Sequence, residues 1–204
     1  KFSDIQVYVF KREGAVTGIM PLTVMDVCAY QAGAFKRLAC RWPSQALFTP
    51  RTPVEFRDIW AAALGMARGS RVSIHMPTAA AVDALQNSTL RAYAARAGGE
   101  IIGVALFREP ACSYKGEASI ELASVVHSMA NEADASYFMA KACHQACADS
   151  DATLVVVDGC GQARDLQRAL DAFGRSAVFK SRTSLFLYNY AEKPHAPSTC
   201  TFLF

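Results

Sequence analysis

The chain has 204 residues, 52% of them hydrophobic and 19% charged, with a formal net charge of +3. That balance excludes a disordered chain and supplies enough apolar mass for one large domain or two small ones. No stretch gathers the Lys/Arg density that a phosphate backbone needs, and no apolar run reaches the ~18 residues of a membrane span, so neither nucleic acid nor a spanning helix is expected.

The first expected elements are short apolar strands at Ile5–Phe10 and Ala15–Met20, joined at Arg12-Glu13-Gly14 as a hairpin. Weaker strand signals follow at Met25–Tyr30 and Phe35–Cys40, and the proline-bearing stretch Trp42–Pro53 reads as a linker. A helix start is then explicit. Thr52-Pro53-Val54-Glu55 is a capping box with proline at the first helical position, followed at helical spacing by Phe56, Ile59, Trp60, Ala63, Leu64 and Ala67, with Gly69 as the stop. Arg71–His75 reads as a short strand, and Thr78 as the cap of a small helix at Ala79–Leu85.

Leu90–Arg96 and Glu100–Phe107 flank Gly98-Gly99, a two-glycine hairpin signal. A third strand is expected at Ser119–Ser128, a helix at Asp134–Ala148 and a buried strand at Thr153–Asp158. Gln162–Phe173 carries Ala163, Leu166, Ala169, Leu170 and Phe173 on one helical stripe, Gly174 ends it, and Thr183–Asn189 is the last strand. Meander strands followed by helix, strand, helix and strand predict an α/β fold, an α+β mixed sheet with helices on both faces. The order hairpin, helix, strand in the first part weakly echoes the order in 90–158, which two related units, or one unit plus an incomplete one, would explain. The expected division is a partial strand-rich unit over 1–50 and a second domain over 51–204.

Seven cysteines lie at 28, 40, 112, 143, 147, 160 and 200, with no Cys-x-x-Cys. They are expected as reduced thiols of an intracellular, cytoplasmic protein. Cys143 and Cys147 are one helical turn apart with His144 between them, but the stripe reads as core and no metal is expected. Cys160, in Asp158-Gly159-Cys160-Gly161, sits past a strand end where α/β proteins place sites. A reactive thiol there needs a basic partner, for which His127 is available; a tight turn with a packed cysteine is the plainer expectation. Glu121 is a possible base on its strand, and a solvated carboxylate is the plainer expectation. No secretory leader is visible. The chain begins at Lys1 rather than Met, as a processed chain or a piece of a longer protein would.

From about Leu90 to Asn189 this order resembles the GCN5-related N-acetyltransferase fold. The acetyl-CoA loop of that superfamily, Gln/Arg-x-x-Gly-x-Gly/Ala, corresponds to Ser128-Met129-Ala130-Asn131-Glu132-Ala133-Asp134, which has no glycine and carries acids that repel a pyrophosphate. Thr183-Ser184-Leu185-Phe186-Leu187-Tyr188-Asn189-Tyr190 is similar to the final strand of N-myristoyltransferase, Tyr-Tyr-Leu-Tyr-Asn-Trp, and the proline-containing tail ending in Phe202-Leu203-Phe204 also corresponds. Ala135-Ser136-Tyr137-Phe138 resembles that family's Ala-Ala-Tyr-Ser-Phe-Tyr helix start. Two family motifs are replaced here, by Tyr30-Gln31-Ala32-Gly33 and by Phe173-Gly174-Arg175-Ser176-Ala177-Val178.

The resemblance implies the acceptor-binding half of an N-acyltransferase, with acyl-CoA as co-substrate held mainly elsewhere, no metal, and a peptide or small amine as acceptor. It implies that the carboxylate of Phe204 accepts the proton of the attacking ammonium, and that Tyr188, Asn189, Tyr190 and Tyr137 line the substrate groove. An ordinary α-carboxyl titrates near ~3.5, and burial against apolar neighbours raises it toward the range of a useful base. The replaced motifs leave two alternatives open. One is a non-catalytic module of this fold, a binding or structural subunit whose fold a protein partner completes; the other is a stand-alone acetyltransferase with an atypical loop.

Overall fold

The computed structural model describes residues 11–12, 15–16, 19–43, 46–69, 72–74, 78–87, 89–109, 116–158, 163–188 and 199–201, with side chains described in 27–43, 46–68, 81–84, 86–87, 89–109, 116–157 and 163–180. In chain order the elements are β1 (Lys11–Arg12), β2 (Ala15–Val16), β3 (Ile19–Gln31), α1 (Lys36–Ala39), β4 (Leu47–Phe48), α2 (Pro53–Gly69), β5 (Val72–Ile74) and α3 (Thr78–Gln86). They continue as β6 (Leu90–Ala97), β7 (Glu100–Arg108), β8 (Ser119–His127), α4 (Glu132–Ser150), β9 (Leu154–Asp158), α5 (Ala163–Ala172), β10 (Phe179–Tyr188) and β11 (Thr199–Thr201).

Seven strands form one mixed sheet in the order β10-β3-β9-β8-β7-β6-β4, and only β8 and β9 pair in parallel within it. The expected mixed sheet with helices on both faces is what the chain forms. One face is covered by α2 and α3, which bury Phe56, Ile59, Trp60 and Ala63 against Leu90, Val104, Leu106 and Val126. The other is covered by α1, α4 and α5, which bury Leu38, Phe138, Met139 and Leu166 against Tyr93, Phe107, Leu122 and Val155. Each such large apolar side chain, fully removed from water, contributes roughly 1.5–3 kcal/mol.

The capping box forms as its residues dictate. The Glu55 N–H donates to Thr52 Oγ1 at 3.2 Å, and Glu55 Oε2 accepts from the N–H groups of Thr52 at 3.3 Å and Arg51 at 2.6 Å. The β6–β7 hairpin turns on Gly98 (φ 57°) and Gly99 (φ 89°), a left-handed backbone that glycine adopts without strain.

Several expectations change. Phe35–Cys40 is helical, not a strand: Phe35, Leu38 and Ala39 are buried at helical spacing, with α1 packed on α4. Met25–Tyr30 is part of the longer strand β3, which lies between β10 and β9 in the same sheet as the later elements. The linker Trp42–Pro53 contains the edge strand β4, the strand expected at Thr183–Asn189 starts earlier, at Phe179, and a further short strand, β11, follows it. Of the first hairpin, Ile5–Phe10 lies outside the described residues; Lys11–Arg12 pairs with Ala15–Val16.

Candidate functional site

The parallel pairing of β8 with β9 runs from Ser119↔Leu154 to Leu122↔Val157 and stops there. On its other edge β8 stays paired with β7 as far as His127↔Gly103, but the register shifts: Phe107 faces Leu122 and Leu106 faces Ser124. Ala123 is therefore an extra residue, a bulge. A bulge bends and over-twists its strand, and this one begins where the pairing with β9 ends, one residue before the end of β9 at Asp158. The region beyond the last β8–β9 pair, at the C-terminal ends of the two strands, is termed the wedge; strand C-terminal ends are where open α/β sheets bind ligands.

The register assigns the wedge residues to faces. Ser124 lies opposite Leu106, on the side covered by α2, while His127 lies opposite Gly103, on the side covered by α4. Ser124 is buried and its Oγ has no hydrogen-bond partner among the described residues; on the same side the buried indole Nε1 of Trp60 has none among them either. Buried polar groups are nearly always satisfied, so an orphaned hydroxyl at the point where two strands part marks a place for a ligand's polar atom. No signal in the sequence singles out Ser124, because a serine in an apolar strand has no distinguishing spacing.

His127 is half-buried. Burial pushes its imidazole below the usual histidine range, against the opposing pull of the Asp165 carboxylate on the first turn of α5 and a backbone contact at Met129. It is therefore neutral at neutral pH and able to take up a proton. At Gly103, facing it across the strands, α4 packs tightly on the sheet: a Cβ there would meet Phe138 Cε1 at 2.9 Å and, just before the helix, Met129 Cε at 3.0 Å.

Helix α4 starts a few residues after the end of β8. Asn131 caps it, its Oδ1 accepting from the Ala133 N–H at 2.9 Å, and Glu132 and Asp134 occupy the first turn. One of the N–H groups that would meet a phosphate is already used, and two acidic residues stand in the same turn. The sequence-based objection to a pyrophosphate at this helix thus has a structural form.

Tyr137 is placed on the flank of α4 facing α1, where its hydroxyl accepts from Arg41 Nη1 at 3.2 Å and its ring lies under the Arg41 guanidinium. The backbone of Tyr188 ends β10 opposite Ile19, on a part of β3 that runs beyond its pairing with β9; its side chain lies outside the described ones. Asn189, Tyr190, Cys160 and Phe204 lie outside the described residues. Of the tail, Thr199–Thr201 pairs in parallel with Val72–Ile74 of β5, next to α2.

Glu121 is not a solvated carboxylate. It is joined to Arg108 through Nη2–Oε1 at 2.9 Å and Nε–Oε2 at 3.3 Å. Cys143 and Cys147 are core residues; burial holds the Cys143 thiol well up and pushes Cys147 up to about 11, which disfavours the thiolates a metal needs. Among the described residues no group of three or more His, Cys, Asp or Glu is arranged to hold a metal ion, and no helix is long and apolar enough to cross a membrane.

No protein-family model and no curated protein matches the sequence. Solved structures do match. N-myristoyltransferase from Saccharomyces cerevisiae with bound myristoyl-CoA superposes with a TM-score of 0.56 at 8% identity, over 86% of this chain and 52% of the enzyme. The same yeast enzyme with myristoyl-CoA and inhibitors gives 0.57 at 10% identity, over 85% and 50%. A GCN5-related N-acetyltransferase from Kribbella flavida gives 0.53 at 13% identity, over 83% of this chain and 38% of that one. The fold is thus that of the GCN5-related N-acetyltransferases. Within it, the chain is similar to N-myristoyltransferase and spans about half the length of that yeast enzyme.

Proposed function

We propose that this chain is an acyltransferase-related domain, the acceptor-binding part of an N-acyltransferase similar to the C-terminal half of N-myristoyltransferase. The observation that carries the proposal is the Ala123 bulge where the β8–β9 pairing ends, with the Ser124 hydroxyl buried beside it and unpartnered among the described residues. In the reaction the neutral amine of a peptide or small-molecule acceptor attacks the thioester carbonyl of acyl-CoA. The C–N bond forms, the C–S bond breaks, and CoA leaves as the thiol after gaining a proton. The proton lost by the acceptor ammonium goes to the terminal carboxylate on Phe204, with Tyr188, Asn189 and Tyr190 around the acceptor; Tyr137, held by Arg41 on the α1 side, stands apart from it. Acyl-CoA is the co-substrate, and its pyrophosphate is held outside this unit, in keeping with the capped, acidic start of α4. Among the described residues, the free thiols of Cys40, Cys143 and Cys147 are what a reducing, cytoplasmic setting would maintain.

The test is transfer from myristoyl-CoA and from acetyl-CoA to a peptide with N-terminal glycine, with and without one residue added after Phe204. Transfer abolished by the extension is the expected result; transfer that survives it removes Phe204 from the mechanism. A second reading, a non-catalytic module of the same fold, is favoured by the Asn131 cap and its neighbouring acids. Calorimetric binding of either acyl-CoA at micromolar affinity would count against it.

A further inference from the structure

A cationic corner lies apart from the wedge, on the outer side of α1 and α4. Arg37 and Arg41 both place their guanidinium carbons over the ring of Phe173, at 5.6 and 5.5 Å from its centroid, and Arg41 also lies 5.6 Å from the centroid of Tyr137. Lys36 on α1 and Lys141 on α4 both bear electrostatically on His144. Lys36, Arg37 and Arg41 are exposed, and among the described residues none of these three has a carboxylate within ion-pair distance, although Arg108 and Arg168 each have one. Crowding like charges on one corner costs Coulomb energy that an acid placed among them would relieve. Cation–π contact with the rings restrains the guanidiniums, so less side-chain freedom is lost when their N–H groups meet an anion.

We propose that this corner docks a carboxylate-rich segment of a partner protein. The guanidinium fork matches a carboxylate in bidentate geometry. A nucleic acid fits the corner less well. Both rings are already covered by arginine, so they offer bases no open stacking platform, and the cations sit around one helical turn instead of tracking along a groove. The partner is one whose acidic face completes an assembly on the α1–α4 side, leaving the wedge clear.

The experiment uses the full chain and two probes, a fluorescent decapeptide of alternating Glu and Asp and a single-stranded oligonucleotide of equal charge. Binding is measured by anisotropy at low salt, for the native chain, for R37E/R41E, and for R57E/R68E, which makes the same net charge change on exposed residues of α2. The expected result is peptide binding that R37E/R41E weakens about tenfold or more and R57E/R68E leaves within about twofold. Equal loss in both variants, no peptide binding, or tighter binding of the oligonucleotide would overturn the proposal. R37Q/R41Q removes the charges without inserting acids and should reproduce the loss if charge reversal harms folding.

Discussion

Arg108 and Glu121 face each other across β7 and β8 and are joined by two hydrogen bonds, with side chains 28% and 15% exposed. The pair sits just before the bulge at Ala123, so it fixes the register on the side of β8 where β9 is still attached. Removing one member leaves a mostly buried charge without its main partner. R108M should destabilise the protein by about 1–3 kcal/mol, and R108M/E121L should recover a large part of that loss. Urea titrations of the two single variants and the double variant give the coupling directly. A double variant as unstable as the sum of the singles would show that the pair does not act as a unit.

Gly103 offers a second test at the same end of the sheet. It has no unusual φ; its small size is what the packing requires. Met129 Cε can move aside, but the Phe138 ring is fully buried and also packs against Trp42, with centroids 5.7 Å apart. G103A should therefore cost about 1–3 kcal/mol, the usual cost of overpacking. Adding F138L should restore part of the midpoint of urea unfolding. A G103A variant as stable as the native chain would mean that α4 can shift away from the sheet.

Much of this architecture was legible in the residues, where local chemistry and tertiary packing agree. The capping box at Thr52–Glu55, the Gly98-Gly99 turn and the single apolar stripe of α5 each specify one local structure, and each forms. Strand β3 was harder to read because Pro21 interrupts it. Its register explains the tolerance: the β10 ladder passes from Leu185↔Thr23 to Phe186↔Pro21, so the proline lies at an irregularity, and β9 pairs only from Val27 onward. Helix α1 is too short for periodicity to show, and only packing on α4 separates it from an apolar strand.

The candidate site was less legible. Tyr137 carried a family likeness, and the structure places it in the cationic corner beside Arg41. The wedge depends on one extra residue, Ala123, in a strand whose alternation looks regular until its partners on β7 are known. Position relative to a neighbouring strand is not encoded in spacing along one strand, so neither the bulge nor the exposed edge of β8 could be read in advance.

The shifted histidine gives a pH dependence with a definite sign. The folded-state pKa of His127 is lowered, so as pH falls through about 6.5 the unfolded chain takes up the proton first. His127 thus costs no stability above that range, and its presence lowers stability progressively below it. His144, lowered by burial and by Lys141 and Lys36, acts with the same sign. The urea midpoint should fall between pH 7 and pH 5, and H127Q should flatten that slope without changing the midpoint greatly at pH 8. An unchanged slope in H127Q would show that the imidazole meets no greater burial in the fold than in the unfolded chain.

Ser124 separates stability from function most cleanly. A buried hydroxyl without a partner has given up its water and gained nothing, a loss of roughly 1–3 kcal/mol. Replacing it with alanine deletes the unsatisfied group and leaves only a small void beside Leu106. S124A should therefore be as stable as the native chain or more so, by up to about 1–2 kcal/mol, whereas most buried substitutions destabilise. If the hydroxyl exists to meet a ligand, S124A should also weaken whatever binds in the wedge, and S124T, which keeps the oxygen, should retain that binding. Denaturation of the ligand-free protein tests the first half, and competition between myristoyl-CoA and an acceptor peptide tests the second. A clearly destabilised S124A would mean that the hydroxyl is satisfied in solution, most simply by water, and the wedge would lose the feature that marks it as a site.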